Sequence, residues 1–121
     1  MQERLNPWRT TRRRTYQSVI AFDIFMNLLK KKQPQFVTCF SNHSASSLHR
    51  YWAATFPKDY KTYNLSEDWV KTYGKEIDFV MHKFDGFLKE LVAFVNKNPS
   101  YKLIVTSIMG KATTRAVSLE T

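Results

Sequence analysis

The feature that most constrains this chain is an apolar, β-favouring run, Phe36-Val37-Thr38-Cys39-Phe40, which breaks at once into a polar stretch. Large and β-branched side chains in a short unbroken run predict a buried strand. A second run of this kind, Leu103-Ile104-Val105-Thr106, sits inside the segment from Tyr101 to Ser107. A long helical pattern separates the two. Buried-type strands joined by a helical crossover predict parallel pairing in a right-handed βαβ unit.

The helical patterns set the rest of the expected order. From Thr15 onward, Ile20, Ile24, Phe25, Leu28 and Leu29 recur at three- and four-residue spacing, predicting a helix that buries this stripe. Lys30, Lys31 and Lys32 then complement the dipole of its last turn, and Pro34 stops it. Before it, residues 1–14 read as a basic arm, with Pro7 and Trp8 breaking any early helix. Residues 53–65, with Pro57, read as an irregular excursion. Ser66 is a candidate N-cap, followed by Glu67 and Asp68 in the first turn of a helix reaching about Lys97. Its expected buried face is Trp69, Tyr73, Ile77, Val80, Phe84, Leu88, Leu91 and Val95; Gly86 softens it and Asn98-Pro99 ends it. The fold class expected is α/β, a partial three-layer sandwich in the order helix-strand-helix-helix-strand, with parallel strands and a long crossover helix. Residues 15–110 would form that domain and 111–121 a C-terminal tail.

Size and composition limit this picture. With 121 residues, 43% of them hydrophobic and 15% aromatic, the chain can build one real core. Two strands and two helices, however, cannot cover both faces of a parallel sheet. The chain therefore reads as a piece of a larger sheet domain, or as a subunit that borrows one. The single cysteine, Cys39, permits no internal disulfide. No apolar run approaches the roughly 18 residues of a membrane span, and the basic N-terminus lacks the apolar core of a secretory signal, so a cytoplasmic protein is expected. The net charge of +9 admits an anionic partner: nucleic acid, an acidic lipid surface or a phosphorylated small molecule.

Open α/β sheets place their sites at the C-terminal ends of strands. Here that end delivers Ser41, Asn42, His43, His49 and Arg50. If the intervening loop turns, His43 and His49 face one point, Asn42 adds an oxygen, and two neutral imidazoles make half a zinc shell. Arg50 and Ser41 would hold a phosphate or sulfate, Arg50 through its fork of donors. The plainer alternatives are histidines in structural hydrogen bonds, an arginine in an ion pair, and serines that serve the turn. Tyr51, Trp52, Phe56, Tyr60 and Tyr63, interleaved with Arg50, Lys58 and Lys61, offer either stacking faces for single-stranded nucleic acid or packing for the excursion. Gly74, Gly86 and Gly110 are too widely spaced for a phosphate loop.

The run into His49-Arg50-Tyr51-Trp52, the long helix with Asp78 and Asp85, and the segment Thr106-Ser107-Ile108-Met109-Gly110 together resemble the alkaline phosphatase-like superfamily, in its phosphodiesterase and nucleotide pyrophosphatase branch. The resemblance covers about residues 17–110. It implies a site with two metal ions, commonly zinc, held by Asp and His, and a Thr or Ser nucleophile between them. His49 matches the family histidine through the aromatic and Trp residues after it, but the metal-binding Asp expected four residues earlier is Ala45, and Ile108 and Met109 replace both ligands of the Thr/Ser-Asp-His-Gly motif. Nothing before Thr15 matches the nucleophile segment. The resemblance therefore implies a fragment or degenerate relative of a metal-dependent phosphate or sulfate ester hydrolase, not catalytic alone. Zinc or another divalent metal would belong to the intact domain, and the partner would be the remaining portion of that domain or another copy. The alternative is a small basic module that binds nucleic acid or acidic lipid through Arg9, Arg12, Arg13 and Arg14.

Overall fold

The structure, a computed structural model, describes residues 6–60 and 64–107. It is built of helices: α1 (Pro7–Lys32), α2 (His43–Thr55), a 3-10 turn (Pro57–Tyr60), α3 (Glu67–Tyr73) and α4 (Glu76–Lys97). No strand occurs among the described residues. The expected α/β sandwich with parallel strands is thereby overturned. Residues 1–5, Tyr63, the Ile108-Met109-Gly110 segment and the tail 111–121 lie outside the described residues.

α1 starts earlier than expected. Pro7 occupies the first helical turn, where its missing N–H would have had no partner in any case, so it opens the helix instead of breaking it. The boundary expected at residue 14 thus falls inside a helix of 26 residues. At the other end Lys30–Lys32 lie in the last turn as expected. Gln33 closes it in the left-handed region, φ 43° and ψ 56°, its N–H donating to Leu29 O at 3.0 Å.

α1 buries only part of the anticipated stripe: Leu29 lies in the core and Phe25 packs against it. Phe22, Met26 and Leu29 pack with Phe94 of α4, flanked by Phe25, Phe87, Leu91, Val95 and Tyr101. Phe22 and Phe87 stack with centroids 4.1 Å apart. Ile20, Ile24 and Leu28 point outward, 59%, 57% and 53% exposed. Contacts advance together along both helices, Arg12 with Glu76, then Phe22 with Phe87, then Leu29 and Phe94 in one cluster, so α1 and α4 run in the same direction.

α2 runs opposite to α1, with Thr15 meeting His43 and Thr11 meeting Tyr51. Residues 33–42 must therefore travel back about 25 Å from the end of α1 to the level of Thr15, a distance that a helix of so few residues would not span. The Phe36–Phe40 run accordingly forms no helix; it is irregular, with a bend at Phe36, and belongs to no sheet. Its Phe36 is 82% exposed, and Ile104 in the second run is 84% exposed. At the top of the molecule the Tyr101 hydroxyl donates to Pro34 O, joining the chain beyond α4 to the chain beyond α1.

The long helix anticipated from Ser66 to Lys97 is two helices. Ser66 caps the first, its hydroxyl accepting from Trp69 N at 3.4 Å. The break comes at Gly74, not Gly86. A Cβ at Gly74 would come within 2.8 Å of Val70 O and 3.2 Å of Ala54 O, so the close approach of α2 requires glycine there. Gly86 has open space around its Cβ position and stays inside α4. Asn98 ends α4, donating its side-chain amide to Phe94 O at 2.8 Å.

Candidate functional site

The polar stretch after Phe40 is a helix, not the loop on which a converging site depended. Its inward residues Ser47, Tyr51 and Ala54 are spaced four and three apart, the pattern of a helical face, and small side chains let α2 approach its neighbours. Asn42 is exposed just before the first turn, and its O accepts from Ser46 N at 3.0 Å. Ser41 Oγ accepts from His43 N at 3.3 Å, a local turn contact. His49 and Arg50 lie on the exposed side of α2.

His43 and His49 do not come together. Six residues of helix set them about 9 Å apart along the axis and about 120° apart around it. His43 turns inward, where its Nε2 meets Thr15 Oγ1 at 2.9 Å. Among the described residues no three of His, Cys, Asp or Glu are grouped to hold a metal. The residues expected to ligate zinc thus do not fit it: one imidazole is engaged by a hydroxyl, the other faces away, and no carboxylate joins them. His82, the third histidine, is exposed on α4.

What the fold does bring together is a polar cluster where α1, α2 and α4 meet. Glu76, at the first residue of α4, is 1% exposed and takes three hydrogen bonds from Arg12: Nε to Oε1 at 3.2 Å, Nε to Oε2 at 3.3 Å, and Nη2 to Oε1 at 3.0 Å. A carboxylate so buried is tolerated because an arginine fork satisfies both oxygens. The same guanidinium lies over the rings of Trp8, 4.5 Å, and Phe79, 4.2 Å from the centroids. Lys83 extends the array, its Nζ 5.4 Å from the centroids of both Phe79 and Tyr16. On the α2 side Thr11 Oγ1 and Tyr51 OH share a hydrogen bond of 3.0 Å, and Tyr51 stacks on Tyr73.

The Thr15–His43 contact has the spacing of a hydroxyl nucleophile and its base. Partial burial, and secondarily the charge of Arg14, push the His43 pKa below its usual value, favouring the neutral ring. Thr15 is 1% exposed, however, so no substrate carbon or phosphorus can reach its oxygen. The pair is a structural hydrogen bond between helices.

Sequence reasoning misses the roles of Thr11, Arg12, Thr15, Tyr51 and Glu76 in this cluster. A signal exists for part of the set: Phe22, Met26 and Leu29 extend backward at helical spacing to Thr15, Thr11 and Trp8. Glu76, separated from Arg12 by 64 positions, carries no local sign. No protein-family model, no curated protein and no solved structure matches the chain.

Proposed function

We propose that the chain is a non-catalytic component of a phosphate- or sulfate-ester hydrolase-like unit, a helical body that presents two exposed apolar segments to the remaining portion of that unit. One observation carries this reading. The segments holding Phe36–Phe40 and Leu103–Val105 lie outside the helices, and Phe36, Phe40, Ile104 and Val105 are left largely exposed. Among the described residues no backbone hydrogen bond pairs either apolar run with another segment. Apolar side chains left exposed in two segments offer such a partner a surface to cover. The chemical class rests on the resemblance of His49-Arg50-Tyr51-Trp52 in sequence alone, since the elements after it do not form the expected helix and strand. Thr15 is sealed off and the two histidines diverge, so among the described residues these groups supply neither an accessible nucleophile nor a metal pair.

The test has two arms. With added zinc, the purified chain is expected to leave an aryl phosphodiester and an aryl sulfate unhydrolysed; turnover abolished by His49→Ala would refute the non-catalytic role. At low protein concentration the amides of residues 36–40 and 103–105 should exchange nearly as fast as in an unstructured peptide. Strong protection there in the monomer would show that the segments already have partners within the chain.

A further inference from the structure

The outer face of α1 exposes an aliphatic row flanked by cations. Taking 100° per residue, Ile20 and Ile24 lie within about 20° of the direction opposite Phe22, and Leu28 within about 60°. All three are more than half exposed, and Tyr16 at the edge of the row is 49% exposed. Arg13 and Lys31 lie in that same direction, one at each end of the aliphatic row, with Arg9 nearby. All three basic residues are exposed. The single acidic residue of α1, Asp23, lies about 80° from that direction, in a shallow groove that it shares with Lys30, Lys31 and Glu90. At about 39 Å, the helix carries an aliphatic centre and cationic ends along one straight face.

We propose that this face is an anionic membrane-binding surface, on which α1 lies in the plane of the lipid headgroups with Ile20, Ile24 and Leu28 in the acyl boundary. The pattern is that of an interfacial helix: apolar side chains on one face, arginine and lysine beside them to meet acidic headgroups. A second copy of the chain is a poor occupant. Cations stand at both ends of the row, so parallel and antiparallel packing alike would set like charges against each other, on a chain of net charge +9. Nucleic acid would satisfy the cations and leave the aliphatic row without a use. An acidic lipid surface satisfies both. Peripheral attachment is the mode implied, since no helix among the described residues is long and apolar enough to cross a membrane. The inference stands independently of the proposed hydrolase relationship, because it draws on the outer face of α1 alone.

Vesicle flotation tests it, with phosphatidylcholine vesicles that contain or lack phosphatidylserine, and with single-stranded DNA as a soluble competitor. The chain is expected to float with the serine-lipid vesicles and to bind neutral ones about tenfold more weakly or worse. Ile20→Ser, Ile24→Ser and Leu28→Ser combined should lower binding to the anionic vesicles by about tenfold or more. These side chains are outside the core, so circular dichroism should report unchanged helix; if the triple variant is unstable, Ile24→Glu alone should produce a smaller loss in the same direction. Equal binding by the serine variant and the parent would overturn the proposal, as would equal binding to neutral and anionic vesicles. DNA that strips the chain from vesicles, and binds parent and serine variant alike, would assign the cations to nucleic acid and overturn it too.

Discussion

The two halves of α1 are held by different physics. From Phe22 to Leu29 the helix packs on α4 through rings and aliphatic chains, where burial is non-directional and each contact is replaceable by another of similar volume. From Thr11 to Thr15 it is held by directed contacts: hydroxyl to phenol, hydroxyl to imidazole, guanidinium to a buried carboxylate. The apolar half therefore supplies most of the stability. The polar half determines how α2 and α4 are placed against α1, because each of its bonds is satisfied in one arrangement only.

Substitutions at each half test this division, the largest effect first. Phe22→Ala removes a 4%-exposed ring stacked on Phe87 and should cost about 4 kcal/mol, read from the urea midpoint. A loss below about 1 kcal/mol would mean the apolar half is not the main source of stability. Arg12→Ala leaves Glu76 buried without its partner and should cost about 3 kcal/mol. The double replacement Arg12→Met with Glu76→Leu should recover most of that loss, since an apolar pair needs no desolvation of charge. If the double variant is no more stable than Arg12→Ala, the ion pair is itself a stabilising element and the contrast between the halves weakens.

Smaller effects sharpen the same contrast. Thr15→Val should cost about 1 kcal/mol by leaving the His43 ring without its hydroxyl partner. His43 also gives the polar half a pH dependence. Its folded-state pKa lies below the usual 6.5, so as pH falls through 6.5 the unfolded chain takes up the proton first. Stability is therefore full above that pH and lost on acidification, and His43→Gln should flatten this part of the profile of urea midpoint against pH. At the far end of the apolar half, Gln33→Gly should stabilise by about 1 kcal/mol, because glycine adopts the left-handed backbone without steric cost. A loss instead would mean that the Gln33 side chain contributes to closing the helix.

Much of the helical framework is legible in the residues. The cap at Ser66, the lysines closing α1, the stop at Asn98-Pro99 and the inward Ile77 and Val80 each derive from local chemistry. The misreadings have a common cause: the same residues satisfy two patterns. α1 carries two aliphatic or aromatic rows, and spacing alone cannot say which is turned inward. The row with Ile20 and Ile24 has the stronger aliphatic pattern; the one with Phe22 and Met26 is buried. In α2 the serines suggest a turn, although Ser47, Tyr51 and Ala54 keep helical spacing. Phe36–Phe40 has the β-branched and aromatic content of a strand, but a sheet needs a neighbour, and without one the run is irregular. The polar cluster is largely hidden in the sequence, because its partners meet only after three helices have packed.

The return path of residues 33–42 also acts as a tether of nearly fixed length. About eleven peptide steps reach roughly 36 Å at most, against an axial separation of about 25 Å between Lys32 and the level of Thr15. Some of the remainder is taken up by sideways displacement, so the slack amounts to only about two or three residues. Trimming this connection by more than that would draw α2 upward, sliding His43 past Thr15 or unwinding the last turn of α1. Lengthening it would cost little entropy and leave the register to the side chains alone. The seating of α2 is thus governed by a stretch of chain that has almost no buried contacts of its own.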